Sequence, residues 1–233
     1  MERPSLSLRL QTVYDLATLW RDKVSSGRRL IDVGSDHGYV SLEGLVTGDY
    51  DTVVATDIHE HPASKTKELL GVYGYQGQST VVCTDGLKGV ELMPGDTVIM
   101  AGLGGNNMME IMEEAMKVTS KEVLSTVVWC LQPQKTIEEL RVFLCEKGFE
   151  IKDEKALSER NLFYTMLTCV FDGQVRSIDL YEKYYGPVLV KRYNGGEELI
   201  KEYFDKLDEW YKIRARGDEE IRLLTEKLSE FRK

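Results

Sequence analysis

The run Arg29–Gly38, RLIDVGSDHG, constrains the fold of this chain more than any other stretch. An apolar segment of strand length carries an acid, Asp32, and leads into a glycine turn and a polar pair. In a strand–helix–strand unit, a turn of this kind lies where a nucleotide-like cofactor meets the first strand. The run therefore predicts an α/β fold with a ligand site at the end of the first strand.

Strand-like and helical segments alternate over most of the chain. Strands are predicted at 30–33, 52–57, 80–83, 96–101 and 125–131, and helices at 5–24, 40–47, 62–73, 108–116 and 136–147. Two further strand-like segments, 149–155 and 163–171, follow with no helix between them, which indicates a hairpin that joins an antiparallel strand to the sheet. The pattern predicts a doubly wound, Rossmann-like α/β sheet with right-handed crossovers.

After Asp172 the pattern becomes helical. Two stripes at helical spacing are Leu199, Tyr203, Leu207 and Trp210, and then Ile221, Leu224 and Leu228. We expect two helices that bury these stripes against each other, as a hairpin with coiled-coil-like spacing. Tyr184–Pro187 is expected to be a hinge or a packed corner. The chain is therefore divided into a Rossmann-like domain with the predicted ligand site, 1–172, and a helical coiled-coil domain, 173–233.

Charge and hydropathy narrow the class of protein. The net charge is −9, from 30 basic and 39 acidic residues, which counts against a surface that coats nucleic acid broadly. No apolar run approaches the roughly 18 residues that a membrane span needs. Met1–Ser5 lacks the apolar core of a signal peptide, so we expect a cytoplasmic protein.

The four cysteines carry no metal or redox signature. Cys83, Cys130, Cys145 and Cys169 are scattered without a C-x-x-C pair, and each lies in or near an apolar stretch. We expect buried free thiols in a reducing compartment and no metal site.

Candidate site residues follow from the predicted topology, because ligands of open α/β sheets bind at the carboxyl ends of the strands. The chain places these residues there: Asp32, Gly34, Ser35, Asp36, His37, Asp57, Ile58, Asp85, Gly86, Ala101 and Gly102. Asp57 is expected to accept both hydroxyls of a ribose. Asp85 is expected to accept an adenine amino group, and Gly86 to let the flat ring approach the backbone. Arg9, one residue before the apolar stripe of the first helix, is either a solvated charge or a contact for a cofactor carboxylate or a phosphate.

The turn after the first strand distinguishes two classes of cofactor. A dinucleotide fingerprint, G-x-G-x-x-G, needs glycines at positions 34, 36 and 39, where the chain has Gly34, Asp36 and Tyr39. An acid repels a pyrophosphate, whereas the positively charged sulfonium of S-adenosylmethionine (SAM) is attracted to one. The turn is close to the Asp-x-Gly-x-Gly-x-Gly turn of SAM methyltransferases, with Asp36 in place of the middle glycine. It therefore predicts SAM as the cofactor.

Six short motifs are spread almost from end to end of the chain. They are LRLQTV at 8–13, DVGSDH at 32–37, DGL at 85–87, AGLGG at 101–105, LQP at 131–133 and YGP at 185–187. Together they resemble the bacterial TrmK family, the tRNA (adenine-22-N1)-methyltransferases. The resemblance implies a SAM-binding Rossmann-like domain followed by a helical coiled-coil domain, tRNA as the partner, and Asp36 as a catalytic residue. Two positions depart from the family pattern: Leu162 replaces a basic residue and Thr165 replaces a Glu. The substrate contact that the family would make at these positions is therefore not expected in the same form.

The exit of the fourth strand favours a ring nitrogen as the methyl acceptor. Methylases of exocyclic amines commonly carry an Asn/Asp-Pro-Pro-aromatic turn there, whereas Ala101–Gly105 offers backbone N–H groups and space. Since N1 of adenine already has a lone pair, Asp36 is expected to orient the base and stabilise the cation that forms. His37 is the second catalytic candidate, because with Tyr39 it can stack on the base; a structural role is its alternative. Methylation of a small molecule or protein, and SAM binding without turnover, stay open.

Overall fold

One mixed sheet forms the framework of the molecule. The computed structural model describes residues 4–160 and 162–231, and seven strands in this part form one sheet. The strands are β1 Arg29–Val33, β2 Thr52–Asp57, β3 Ser79–Cys83, β4 Thr97–Ala101, β5 Val128–Gln132, β6 Phe149–Glu159 and β7 Leu162–Phe171. Outside the described residues lie Met1–Arg3 and Asn161. Met1–Arg3 belongs to the stretch in which a signal peptide was sought, and Asn161 precedes Leu162.

The strand order, β3-β2-β1-β4-β5-β7-β6, is that of a doubly wound sheet with a hairpin at one edge. β1 pairs in parallel with β2 and β4, β2 with β3, and β4 with β5. β7 runs antiparallel to both β5 and β6. The predicted Rossmann-like fold and its antiparallel hairpin are therefore confirmed. The winding reverses between β1 and β4, which is the point where sheets of this kind bind their ligands.

Helices cover both faces of the sheet and make up the C-terminal part. They are α1 Leu8–Val24, α2 Tyr39–Val46, α3 Glu60–Val72, α4 Gly105–Val118, α5 Lys121–Leu124, α6 Ile137–Glu146, α7 Leu180–Tyr185, α8 Pro187–Asn194, α9 Glu198–Arg214 and α10 Glu219–Phe231. α1 begins later than predicted because Ser7 caps it, with its side chain accepting the Leu10 N–H. Periodicity does not reveal α5, α7 or α8, which are too short to show it. None of the helices in the described part is long and apolar enough to cross a membrane.

Two apolar clusters hold the helices against the sheet. One lies on the side of α4 and α6 and includes Met112 and Leu144. The other lies on the side of α1, α2 and α3 and includes Val13 and Leu70. Full burial of a side chain of this kind stabilises the fold by about 1.5–3 kcal/mol. Because both faces of the sheet are covered, a ligand reaches the strands at their carboxyl ends.

The helix α9 packs with a face that only partly overlaps the predicted one, because Tyr203 is buried and Leu207 packs against the same cluster. The residues that α9 buries are Ile200, Tyr203, Phe204 and Tyr211. Leu199 and Trp210, which belong to the predicted stripe, are 38 % and 48 % exposed. The cause is that α9 contacts α8 and β6 as well as α10, so its buried face is set by three neighbours. The predicted stripe of α10 is buried at Ile221, Leu224 and Leu228.

The segment Tyr184–Pro187 is a packed corner between α7 and α8. Tyr185 is fully buried, and Gly186 has φ 95°. The cluster formed by the C-terminal helices also includes Ala156 of β6. A helical C-terminal region is confirmed, while coiled-coil packing and the division of the chain at residue 172 stay predictions.

The cysteines differ from expectation at one position. Cys130, Cys145 and Cys169 are buried free thiols, and burial raises the pKa of Cys130 to about 12. Cys83 is also free but exposed, so the prediction of burial is wrong there. The reason is its place at the end of β3, which is an edge strand of the sheet.

Candidate active site

A large cleft runs along the carboxyl ends of the parallel strands. It encloses about 1920 Å³ and extends from the residues before α1 to the far end of α4. Small-molecule pockets usually enclose about 300–1000 Å³, so this cleft has space for a cofactor and part of a second molecule. All of the residues predicted from the sequence to bind a cofactor or act in catalysis line it.

The turn between β1 and α2 is shaped by three residues with positive φ. Gly34 has φ 73°, Asp36 has φ 49° and Gly38 has φ 72°. Gly38 also needs its small size, since an added Cβ would lie 2.7 Å from Cγ2 of Thr66. The Gly34 amide donates to the carbonyl oxygen of Thr56 at 2.8 Å, which fastens the turn to β2.

Asp36 presents its carboxylate to the cleft. Its side chain is 72 % exposed. Its backbone is held on both sides, because the amide donates to Oδ2 of Asp57 at 3.1 Å and the carbonyl accepts from Oγ1 of Thr66 at 3.1 Å. Positive φ is uncommon for residues other than glycine, and Asp and Asn tolerate it best. The turn therefore fixes the backbone of Asp36 while its carboxylate stays accessible to a ligand.

His37 and Tyr39 form an aromatic pair beside that carboxylate. Their rings stack with centroids 5.5 Å apart and planes 18° from parallel. Nε2 of His37 lies 3.7 Å from Oδ2 of Asp36, which is too long for a hydrogen bond. Flat aromatic surface and negative charge thus line the same part of the cleft.

Two buried acids lie next to the turn. Oδ1 of Asp57 accepts the His59 N–H at 3.0 Å and Oδ2 accepts that of Asp36, so each oxygen keeps a lone pair for a ligand hydroxyl. Oδ2 of Asp32 accepts from the amide and the hydroxyl of Ser41, at 3.2 and 2.7 Å. Burial raises the pKa of Asp32 to about 6, against the Ser41 hydrogen bonds, which lower it. Negative charge in this part of the cleft therefore increases as the pH rises through about 6.

The end of β3 contributes an acid that already has a partner. Asp85 forms an exposed ion pair with Lys88, with Nζ 2.5 Å from Oδ2. Gly86 has φ 61° and packs on Ile111, whose Cγ1 would lie 2.6 Å from an added Cβ. Ile58, just after β2, is 58 % exposed. An adenine amino group that reaches Asp85 would therefore share this carboxylate with Lys88.

Arg9 reaches from α1 over the ends of β4 and β5. It donates to Oε1 of Gln132, and its guanidinium carbon lies 5.7 Å from the centroid of the Tyr164 ring. Its Nη1 lies 3.7 Å from where a Cβ on Gly102 would be. Arg9 is half-buried and lines the cleft. Of the two predicted alternatives, this position favours a contact with a ligand over a solvated charge.

The glycine-rich loop after β4 provides space and few free amides. The Gly102 N–H donates to the carbonyl oxygen of Gln132, and the Gly105 N–H to that of Lys135, both at 3.0 Å. The prediction that this loop offers its N–H groups to a ligand is therefore wrong for these two. Ala101 precedes the loop at the end of β4 and lines the cleft.

The donor set of the cleft fits a nucleoside that carries a positive charge. Carboxylates lie at the ends of β2 and β3, where a ribose and an adenine would be held. Gly34 lines the cleft, and its small size lets Leu103 pack against it, since an added Cβ would lie 3.1 Å from Cδ2 of Leu103. A pyrophosphate at the same turn would meet Asp36. Among the residues that the structure describes, no group of three or more His, Cys, Asp and Glu side chains could hold a metal ion.

A comparison with protein families agrees with this chemistry. A family model for a methyltransferase domain matches residues 6–167. The chain belongs to this methyltransferase family. The matched range includes β1 to β6 and every residue that the sequence predicts for the site.

Individual relatives of the methyltransferase agree with the motif resemblance. The tRNA (adenine(22)-N(1))-methyltransferase of Bacillus subtilis is 27 % identical over 202 residues, which cover 83 % of this chain and 79 % of the relative. Sp1610 of Streptococcus pneumoniae in complex with SAM has a TM-score of 0.81 at 24 % identity, covering 98 % of this chain and 100 % of that one. TrmK of Mycoplasma capricolum with S-adenosyl-homocysteine has a TM-score of 0.76 at 19 % identity, covering 97 % of both. The two solved structures show the shared fold, and the resemblance to the TrmK family is confirmed.

Several residues in or beside the methyltransferase cleft carry no signal in the strand-end pattern. Leu103 packs on Gly34, and Ile111 packs on Gly86. Tyr164 lies beside Arg9 but belongs to the edge hairpin. These side chains come from helix α4, a loop and an antiparallel strand, to which the strand-end rule does not apply.

The two positions that depart from the TrmK pattern lie in different surroundings. Leu162 is 59 % exposed at the start of β7. Thr165 is buried, and its Oγ1 lies 2.7 Å from the hydroxyl of Tyr203 in α9. Thr165 therefore contacts the C-terminal helices, whereas Tyr164, on the other face of β7, contacts Arg9.

Proposed function

We propose that this methyltransferase uses SAM to methylate N1 of the adenosine at position 22 of tRNA. The similarity to the TrmK relatives supports the substrate, and the accessible carboxylate of Asp36 in the cofactor turn is the observation that carries the chemistry. The proposed substrate places the enzyme in the cytoplasm, where tRNA is found.

The residues that would hold SAM follow from the lining of the cleft. Asp57 and Ile58 would contact the ribose, and Asp85 and Gly86 the adenine. The methionine part would lie against turn and strand-end residues that line the cleft, namely Asp32, Gly34, Ser35, Ala101 and Gly102. Arg9, whose polar partner in the described structure is an uncharged amide, would bind the carboxylate of the methionine part. When bound, SAM supplies an electrophilic methyl group on a positively charged sulfur.

Asp36 acts on the acceptor base and not as a base that must deprotonate it first. Neutral adenine has a lone pair on N1, so attack needs no prior loss of a proton. The ring becomes cationic on methylation. A carboxylate beside the exocyclic amine would accept a hydrogen bond from it, orient the ring and stabilise the developing charge. It could also accept an amino proton afterwards.

The stacked pair of His37 and Tyr39 provides a place for the base to lie. N1 is on the Watson–Crick edge, so the adenosine has to leave its base pair or stack before it can react. Aromatic side chains stabilise an unstacked base by about 1–3 kcal/mol. The pair lines the cleft next to Asp36, where a base at its face would meet the carboxylate.

Nucleoside analysis of a treated tRNA transcript tests the proposal. The enzyme and isotopically labelled SAM are incubated with a tRNA that has adenosine at position 22, and the digested RNA is examined for labelled 1-methyladenosine. Because the methyl group blocks base pairing, reverse transcription should stop at position 22. The matched control is the same tRNA with guanosine at that position.

Label in 1-methyladenosine that disappears with the control tRNA is the expected result. Label at another position or another atom would refute the assigned substrate. SAM binding without transfer to any tRNA would refute the proposed activity. It would favour one of the two alternatives, methylation of a small molecule or protein, or SAM binding without turnover.

A further inference from the structure

Three exposed basic side chains lie next to segments that border the cleft or on the C-terminal helices. They are Lys135, Arg160 and Lys206, which we call the basic strip. None of the three has an ion pair with an acid among the residues that the structure describes. Arg192 in the neighbouring helix α8, by contrast, is paired with Asp153 of β6.

Contacts locate each member of the basic strip. Lys135 lies along the glycine-rich loop, where its Cε would be 3.4 Å from a Cβ on Gly104. Oε1 of Glu159 accepts the Leu8 N–H at 3.0 Å, which brings the hairpin tip next to the start of α1. Arg160 is the following residue, exposed and with φ 53°. Glu159 is an acid of this rim, and its bond is to a backbone amide.

The strip continues from the tip to α9. Nζ of Lys206 lies 4.8 Å from the centroid of the Phe163 ring in β7. Phe163 also contacts Tyr203, with ring centroids 5.2 Å apart. The members of the basic strip therefore lie beside the loop after β4, at the hairpin tip and on α9 against the hairpin.

The opposite rim has the opposite charge. The acids that line the cleft on this side are Asp85, Glu91, Glu110 and Glu114. The lysines beside them are already neutralised, because Lys88 pairs with Asp85 and Lys117 with Glu114, both at 2.5 Å. A polyanion is repelled from this rim and attracted to the other.

We propose that phosphates of the RNA on either side of the target adenosine lie on the basic strip. RNA then enters over α1 and the hairpin and runs toward α9, while the rim formed by α4 stays free of it. The inference rests on the proposed function and names the surface by which that site takes its RNA.

Salt dependence of tRNA binding tests the basic strip. Lys135→Gln, Arg160→Gln and Lys206→Gln are made singly and together, and Lys121→Gln serves as the matched control, since Lys121 is an exposed lysine next to the far end of the cleft. The dissociation constant of a labelled tRNA is measured over a series of salt concentrations. KM for tRNA, kcat and the calorimetric affinity for SAM are measured alongside.

Each strip variant should reduce the steepness of log K against log salt by about 0.7–0.9, the value of one lost phosphate contact. In the triple variant the slope of log K against log salt should be smaller by about 2–3. Its KM for tRNA should be raised, with kcat and SAM affinity unchanged. The control should behave as the wild type. A triple variant with the wild-type slope, or a control that loses as much, would overturn the assignment. Absence of methyl transfer by the wild type would instead count against the proposed function, while the slopes still locate bound RNA.

Discussion

Arg141 and Glu154 form a fully buried ion pair, with Nε 2.8 Å from Oε1 and neither side chain accessible. Nη1 of Arg141 also donates to the carbonyl oxygens of Lys183 and Tyr184, at 3.0 and 3.1 Å. Oε2 of Glu154 accepts the Val188 N–H at 2.9 Å. The pair therefore holds the corner between α7 and α8 against α6 and β6, and it connects the C-terminal helices to the sheet.

Removal of one partner should cost much of the stability. Arg141→Met keeps most of the side-chain volume but leaves Glu154 as a buried charge without a counter-charge, which costs about 3–5 kcal/mol. In Arg141→Met/Glu154→Leu the charge is gone, yet the Lys183 carbonyl and the Val188 amide lose their partners at about 1–3 kcal/mol each. We therefore expect urea unfolding to show both variants destabilised. A double variant as stable as the wild type would show that the corner does not depend on the pair.

Gly186 should be intolerant of a side chain for two separate reasons. An added Cβ would lie 2.6 Å from both carboxylate oxygens of Glu154 and 2.7 Å from Nη2 of Arg141. Its φ of 95° adds strain for any other residue. Gly186→Ala is expected to lower the free energy of unfolding by about 2–4 kcal/mol.

Gly196 provides the matched control for that substitution. It has φ 86°, and nothing lies within 4 Å of an added Cβ. Gly196→Ala should therefore show the backbone strain alone, at about 1 kcal/mol. Equal losses for the two variants in denaturant unfolding would mean that contact with the ion pair contributes nothing at Gly186.

The sequence predicts the sheet and the position of the site because both follow from local patterns and one topological rule. Each buried strand is an apolar segment that ends at a turn residue, and parallel strands must end at the same edge. Asp36 and Asp57 lie far apart in the sequence but meet in the structure, where the Asp36 N–H donates to the Asp57 carboxylate. The strand ends alone are enough to predict that meeting.

Features that depend on several neighbours are not predictable in this way. The periodicity of α9 fits two adjacent faces, and only the positions of α8, α10 and β6 decide that Phe204 is buried and Trp210 is not. The sequence predicts that the Gly102 amide is free to bind a ligand. In the structure this amide donates to the carbonyl oxygen of Gln132 in the neighbouring strand. Both corrections concern partners brought together by packing between distant segments.

Asp32 should make stability and cofactor affinity depend on pH. Burial raises its pKa from 3.8 to about 6, so the native state holds a proton that the unfolded state releases. The stability due to this proton is full below about pH 4 and is lost as the pH rises through about 6. Asp32→Asn should flatten the free energy of unfolding over that range.

Binding should change in the opposite direction, because ionised Asp32 attracts the sulfonium. The affinity for SAM should increase between pH 5 and 7 by more than the affinity for S-adenosyl-homocysteine, which lacks the positive sulfur. Calorimetry with both ligands on the wild type and Asp32→Asn measures the difference. Parallel pH curves for the two ligands in the wild type would exclude Asp32 as the cause.

Asp36→Asn separates the charge of the carboxylate from the shape of its turn. Asn tolerates the φ of 49° as Asp does, so the backbone bonds to Asp57 and Thr66 should persist. The amide cannot stabilise a cationic ring as a carboxylate does, and the loss of one such electrostatic contact typically lowers kcat by about 10²–10³. We expect a fall of this size in single-turnover methyl transfer to tRNA, with KM for tRNA little changed.

Because a full-charge neighbour of the sulfonium is also removed, calorimetric SAM affinity is measured on the same variant. A large loss of SAM affinity with unchanged single-turnover rate at saturating SAM would assign Asp36 to cofactor binding and remove it from the proposed chemistry.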